Sequence, residues 1–212
     1  MRNLVEKKLD NIIRFPAEKV TRFGFERVRR RRGSKSRLES LGQVNLFSHP
    51  PGDVVQLPTN ASPFDEALRL DEGGDASAAE AYRRAIQDGD SVADAYCNLG
   101  VMETIKRHRD PAFQHFTEAL KNDPHHFESH YNLGNLYLES GELQPARLHY
   151  ELAAELESAF PNVHFNLAIL HAMAGDVDAA ITALGVYKDL ATEEEQLKAD
   201  DLIASLRRSI SP

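Results

Sequence analysis

One spacing limits this chain more than any other property. Asn-Leu pairs stand at Asn98-Leu99, Asn132-Leu133 and Asn166-Leu167, each 34 residues from the last. The same step joins Gly100, Gly134 and Ala168, then Ala112, Ala146 and Ala180, then Phe116, Tyr150 and Leu184. It also joins Gly141 to Gly175 and Ala119 to Ala153. One step back lie Ala78, Tyr82 and Ala85, so a fourth, earlier copy is present with a degenerate first half. A fixed period of this length predicts stacked supersecondary units, because one unit alone cannot bury its apolar face.

Within each copy the apolar spacing is helical. Tyr96, Leu99, Met102 and Ile105 recur every three residues, and Ala112, Phe113, Phe116, Ala119 and Leu120 follow a three-four pattern. Asp110-Pro111 predicts an N-cap followed by a first helical residue, and Gly141 and Gly175 fall where a first helix must end. Each copy therefore reads as a helix pair. Small residues (Gly100, Gly134, Ala112, Ala146, Ala180) mark close approach of helices, and large ones fill the space between copies. Thr192 and Glu195 form a capping box that opens a closing helix over 193–209, with Leu197, Leu202, Ile203 and Leu206 as its apolar stripe. At the other end, Ser62-Pro63 opens a short helix to about Leu70, ended by Gly73-Gly74.

The run 93–126 resembles a tetratricopeptide repeat, with Tyr96, Leu99-Gly100, Ala112, Phe116, Ala119 and Pro124 at that family's offsets. The copy at 127–160 fits through Leu133-Gly134, Tyr137, Ala146, Tyr150 and Ala153. It departs at His130, where Trp or Tyr is usual, and at Ser158, where Pro is usual. The copy at 161–190 keeps Leu167, Ala168, Gly175 and Ala180, with Leu184 for the usual aromatic, and the copy at about 62–92 matches only in its second helix. The resemblance implies an all-α fold: a right-handed α-solenoid of about four helix-turn-helix repeats in 62–212, closed by a C-terminal capping helix.

In this family the first helix of each pair lines a concave groove. The resemblance places three columns there: Cys97, Tyr131 and Phe165; Val101, Asn135 and Ile169; and Ile105, Glu139 and Met173. Beside them stands the row Asn98, Asn132 and Asn166. An asparagine amide carries both donor and acceptor, so a row of them suits the backbone of an extended peptide. The alternative is that each Asn bonds its own stack. Related co-chaperones grip C-terminal carboxylates with Lys and Arg; that pattern is absent, since Cys97, Tyr131 and Phe165 stand there with Asp94 and Glu128 nearby. The expected ligand is an apolar or basic protein segment, bound by a non-enzymatic adaptor.

Signals for chemistry are weak. His126 and His130 are four apart, but no third ligand is evident, so no metal or cofactor is expected and the histidines read as solvated groups at a repeat junction. His115 and His149 share the 34-residue step, which predicts a common surface location. Gly33-Ser34-Lys35-Ser36 lacks the earlier glycine of a phosphate loop, as that position is Val28. Cys97, the single cysteine, excludes an intramolecular disulfide and reads as a small apolar filler. With no long apolar run and no signal-peptide pattern after Met1 and Arg2, a reducing, cytoplasmic location is expected.

The net charge of −8 conceals a division. Residues 1–37 hold 13 Lys+Arg and 4 acids, a balance of +9, whereas the remainder holds 12 bases and 29 acids, a balance of −17. The head reads as a helix over 3–15 and a second over 17–32 ending in Arg29, Arg30, Arg31 and Arg32; residues 38–61 read as linker, with VNLF (44–47) and VVQL (54–57) as docking segments. Four destinations for the head stay open: nucleic acid, an anionic membrane, the acidic repeat body of the same or a neighbouring chain, or solvent. The first gives the alternative function, a nucleic-acid-associated regulator whose repeats recruit a protein. Oligomeric state is not legible in the sequence.

Overall fold

The computed structural model describes residues 24–29 and 61–210. Among them are nine helices and no strand: α1 (Pro63–Glu72), α2 (Ala78–Gln87), α3 (Val92–Ile105), α4 (Arg109–Asn122), α5 (Phe127–Glu139), α6 (Leu143–Leu156), α7 (Pro161–Ala174), α8 (Val177–Leu190) and α9 (Glu193–Ile210). The architecture is an all-α solenoid of helical repeats with a C-terminal helix. The described residues fall into two compact units: 24–27 with 92–210, and 28–29 with 61–91. The expected helix over 3–15, the linker 38–61 and its segments 44–47 and 54–57 lie outside the described residues.

The smaller unit is one helix pair. The Ser62 hydroxyl caps α1 by accepting from the Asp65 amide at 3.1 Å, and Pro63 takes the first helical position. Tyr82 is fully buried; its ring meets Phe64 at 5.8 Å and its hydroxyl donates to Asp71 at 3.2 Å. The pair thus forms in the copy whose first half had lost the repeat signature.

The larger unit stacks three pairs, α3–α4, α5–α6 and α7–α8, and α9 packs on α8. Close approach within a pair is set by glycine facing an aromatic ring. A Cβ on Gly100 would sit 2.5 Å from Cε1 of Phe116, and one on Gly134 would sit 2.6 Å from Cδ1 of Tyr150. Both rings are fully buried. In the third pair the repeat puts Ala168 and Leu184 at these positions: where the aromatic shrinks to Leu, the glycine grows to Ala. Helix α9 is anchored by Lys188 to Asp200 at 2.7 Å, and the Thr192 amide and hydroxyl both donate to the Glu195 carboxylate, at 3.0 and 2.7 Å.

Three local expectations are corrected. Helix α4 begins at Arg109 with His108 as N-cap, so Asp110-Pro111 lies inside the first turn; an acid and a proline suit that turn as well as its edge. In α9, Leu197 is 69% exposed while Ala199, Leu202 and Leu206 are buried. That three-four spacing follows the helix, and residue 197 falls off its stripe. Residues 24–29 are not helical, against the expected helix over 17–32. Gly24 disfavours helix, and the Glu26 amide and the Gly24 and Glu26 carbonyls bond to asparagine side chains in place of a helical ladder.

The repeat register also exposes a strained site. Gly141 and Gly175 close first helices with φ of +76° and +81°, and Arg107, one step earlier, holds φ +62°. A side chain in this left-handed conformation costs about 1–2 kcal/mol.

Candidate peptide-binding groove

Helix α5 carries Asn132 and Asn135 three residues apart, hence on one face. Both are fully buried. Against them runs the chain's own Gly24–Arg27. Oδ1 of Asn132 accepts from the Glu26 amide at 2.8 Å, and its Nδ2 donates to the Glu26 carbonyl at 2.7 Å. The side-chain amide thus does for Glu26 what a neighbouring β-strand does in a ladder, satisfying donor and acceptor of one residue. Nδ2 of Asn135 donates to the Gly24 carbonyl at 3.0 Å. Between these two anchors, the Phe25 ring stacks on Phe116, with centroids 6.4 Å apart and planes 9° from parallel.

The orientation of Asn135 is set from behind. Its Oδ1 receives the Tyr150 hydroxyl at 2.6 Å and Nδ2 of Asn166 at 2.9 Å. Two donors on one atom fix which end is oxygen, so Nδ2 must turn toward Gly24. Asn166 also donates toward the Tyr131 and Tyr150 hydroxyls at 3.1 and 3.4 Å. Asn166 therefore serves the stack, Asn132 serves the bound segment, and Asn135 joins the two.

The other expected site residues are all buried: Asn98, Cys97 and Tyr131 fully, and Val101, Ile169 and Phe165 nearly so. Tyr131 packs among Phe127, Tyr150 and Phe160, with ring centroids 5.5–6.2 Å away. Phe165 packs on Tyr187 at 5.0 Å. Cys97 lies 3.5 Å below Nδ2 of Asn132, and burial pushes its thiol pKa up, which disfavours a nucleophilic thiolate. Arg29 is exposed, and Arg30, Arg31 and Arg32 lie outside the described residues.

His126 and His130 are structural joints and not solvated groups, whereas the neighbouring His125 is exposed. His126 is the N-cap of α5, 2% exposed; its Nδ1 accepts from the Ser129 amide at 3.2 Å and its Nε2 meets Asp94 of α3 at 2.9 Å. His130 pairs with His149, Nδ1 to Nδ1, at 3.0 Å, and its Nε2 bonds the Pro124 carbonyl at 3.1 Å. That carbonyl requires a donor, so Nδ1 of neutral His130 accepts from His149. The pair repeats the contact of Tyr96 with His115 one copy earlier. Burial, then the charge of His130, lowers the His149 pKa to about 4. Among the described residues no three His, Cys, Asp or Glu side chains gather for a metal ion, and no helix is long and apolar enough to cross a membrane.

Sequence reasoning pointed to Asn132 and Asn135 but missed Phe116 and Phe25. Phe116 carries a repeat signature and so reads as packing. Only the structure shows a second aromatic ring on it.

A tetratricopeptide repeat family model matches residues 115–147. No curated protein sequence matches the chain. Among solved structures, one of MamA protein aligns with TM-score 0.59 at 18% identity, covering 69% of this chain and 80% of that one. A MamA RS-1 double mutant aligns with TM-score 0.58 at 16% identity, covering 68% and 81%. A further MamA structure aligns with TM-score 0.53 at 16% identity, covering 68% and 92%. These likenesses concern the fold. With helix pairs built on three in-register copies and a tetratricopeptide repeat match inside them, the fold of this chain is a stack of tetratricopeptide-like helical repeats.

Proposed function

We propose that the chain is a non-enzymatic adaptor that binds an extended segment of a partner protein along α3 and α5. One observation carries this reading: Asn132 bonds both the N–H and the C=O of Glu26, with Asn135 bonding a second carbonyl nearby. Such contacts accept main chain whatever its side chains, as a protein-interaction scaffold needs. Each contributes about 1 kcal/mol net, so affinity must also draw on apolar contact such as that offered by Phe116. The −17 balance of the remainder of the chain favours segments that are apolar or basic.

The test selects binding peptides from a displayed library. Because Gly24–Arg27 uses the same amides, the comparison is made in the Phe25→Ala background, where that segment has lost its ring contact. Adding Asn132→Ala is expected to weaken the selected peptides about tenfold, the worth of one or two hydrogen bonds. Unchanged binding by a protein of unchanged helicity rejects the reading. The alternative, nucleic-acid contact, rests on the sequence run Arg29–Arg32, whose one described member, Arg29, is exposed.

A further inference from the structure

We infer that Gly24–Arg27 is a built-in competitor that both blocks this site and shows what displaces it: a protein segment with one aromatic residue held between two main-chain anchors. The inference rests on the peptide-binding reading above and extends it to ligand class and regulation.

Each position of the segment is read differently. At the first, only the Gly24 carbonyl is used, by Asn135. A Cβ built on Gly24 meets nothing within 4 Å, so this position accepts side chains other than glycine. At the second, the side chain is read, since the Phe25 ring lies parallel to the buried Phe116 ring. At the third, the main chain is read again, from both sides of Glu26. An aliphatic residue in the second position would offer no flat face to Phe116. The occupant is the chain's own segment, so a partner must compete with a tethered ligand. Attachment to the same chain supplies an effective concentration of up to about 1 mM. If the segment's own intrinsic Kd is about 10 µM, any competing peptide is weakened about 100-fold.

The experiment uses the full chain, wild type and Phe25→Ala, and a labelled, capped peptide GFERVR copied from residues 24–29. Phe25 lies in the segment and not in a helix, so its replacement leaves the repeats intact. Fluorescence anisotropy is expected to show Phe25→Ala binding the peptide at least about tenfold tighter than wild type. In Phe25→Ala, a peptide with Ala for its Phe is expected to bind at least about tenfold more weakly. So is a peptide N-methylated at its Glu, which removes the donor to Asn132.

The outcomes separate cleanly. Equal binding by wild type and Phe25→Ala, or no binding by Phe25→Ala, overturns the competitor. Full affinity of the Ala peptide overturns the aromatic requirement and leaves main-chain recognition standing. Full affinity of the N-methylated peptide removes main-chain recognition, and with it the proposed function. Sedimentation supplies one more check. If wild type self-associates with concentration and Phe25→Ala does not, the occupant comes from a second copy and same-chain blocking is wrong.

Discussion

Replacing Gly100 with Ala probes the contact that sets how closely α3 and α4 approach. The new Cβ would lie 2.5, 2.7 and 2.9 Å from three carbons of Phe116. Ordinary carbon contact is about 3.5 Å or more, so the ring must retreat by about 1 Å. Phe116 is fully buried and has little room to do so. Overpacking of this kind costs about 1–3 kcal/mol, and better helix propensity returns up to about 1 kcal/mol. The net expectation is a loss of about 1–2 kcal/mol, or a Tm lower by about 2–8 °C for a protein of this size. Gly185 is the control: it lies inside α8, and a Cβ there meets nothing within 4 Å. Gly185→Ala should stabilise by up to about 1 kcal/mol, because only the propensity term acts. Urea and thermal unfolding followed by far-UV circular dichroism measure both. A double-mutant cycle adds Phe116→Leu, reproducing the Ala168 and Leu184 combination of the third pair. Gly100→Ala should then cost at least about 1 kcal/mol less than it does opposite Phe. If Gly100→Ala is neutral, or its cost is the same opposite Leu, the close-approach argument is wrong.

Arg107→Gly should stabilise by about 1 kcal/mol, since it relieves the φ of +62° at the position where later copies use glycine; an unchanged urea midpoint would show that no strain is held there. Asn166→Ala should cost about 1–3 kcal/mol in stability, because it strips donors from buried Asn135, Tyr131 and Tyr150, and a surface-like loss below 0.5 kcal/mol would contradict that network. His149, lowered from 6.5 to about 4, leaves stability unaffected above its unfolded pKa, where it is neutral in both states. As pH falls from about 6.5 toward 4 the unfolded chain takes up the proton first, so stability is lost across that window. A drop of this size sets a ceiling of about 3 kcal/mol, and solvent access to this partly exposed ring reduces it to about 1–2 kcal/mol. His149→Phe should shrink the difference in urea midpoint between about pH 7 and pH 5, and an unaltered difference would assign the acid sensitivity elsewhere.

The repeat architecture was legible because it follows from near-neighbour spacing. A 34-residue step with helical periodicity determines which residues share a helix face, and Gly100 and Gly134 could be assigned to close contacts before any ring was placed. The division of labour among the asparagines was not legible. Asn132 and Asn166 occupy the same repeat position. What separates them is which hydroxyls stand behind them and what lies in front, and both come from other helices or from a distant segment. His126 and His130 were misread for the same reason: spacing put His126 at a helix start, but its partner, Asp94, comes from the preceding pair. Phe25 stood out to no pattern, since a lone aromatic in a basic stretch acquires meaning only from the ring it meets.

The central claim is that an asparagine side chain reads the main chain of a segment laid along α5. Amide hydrogen exchange at Glu26, followed by NMR in the full chain, tests it most directly. Bonded to Oδ1 of Asn132 at 2.8 Å, that amide should exchange at least about tenfold more slowly than in the free GFERVR peptide. The protection should vanish in Asn132→Ala while amides inside α6 and α7 keep theirs. Exchange at the free-peptide rate in the wild type would contradict the account.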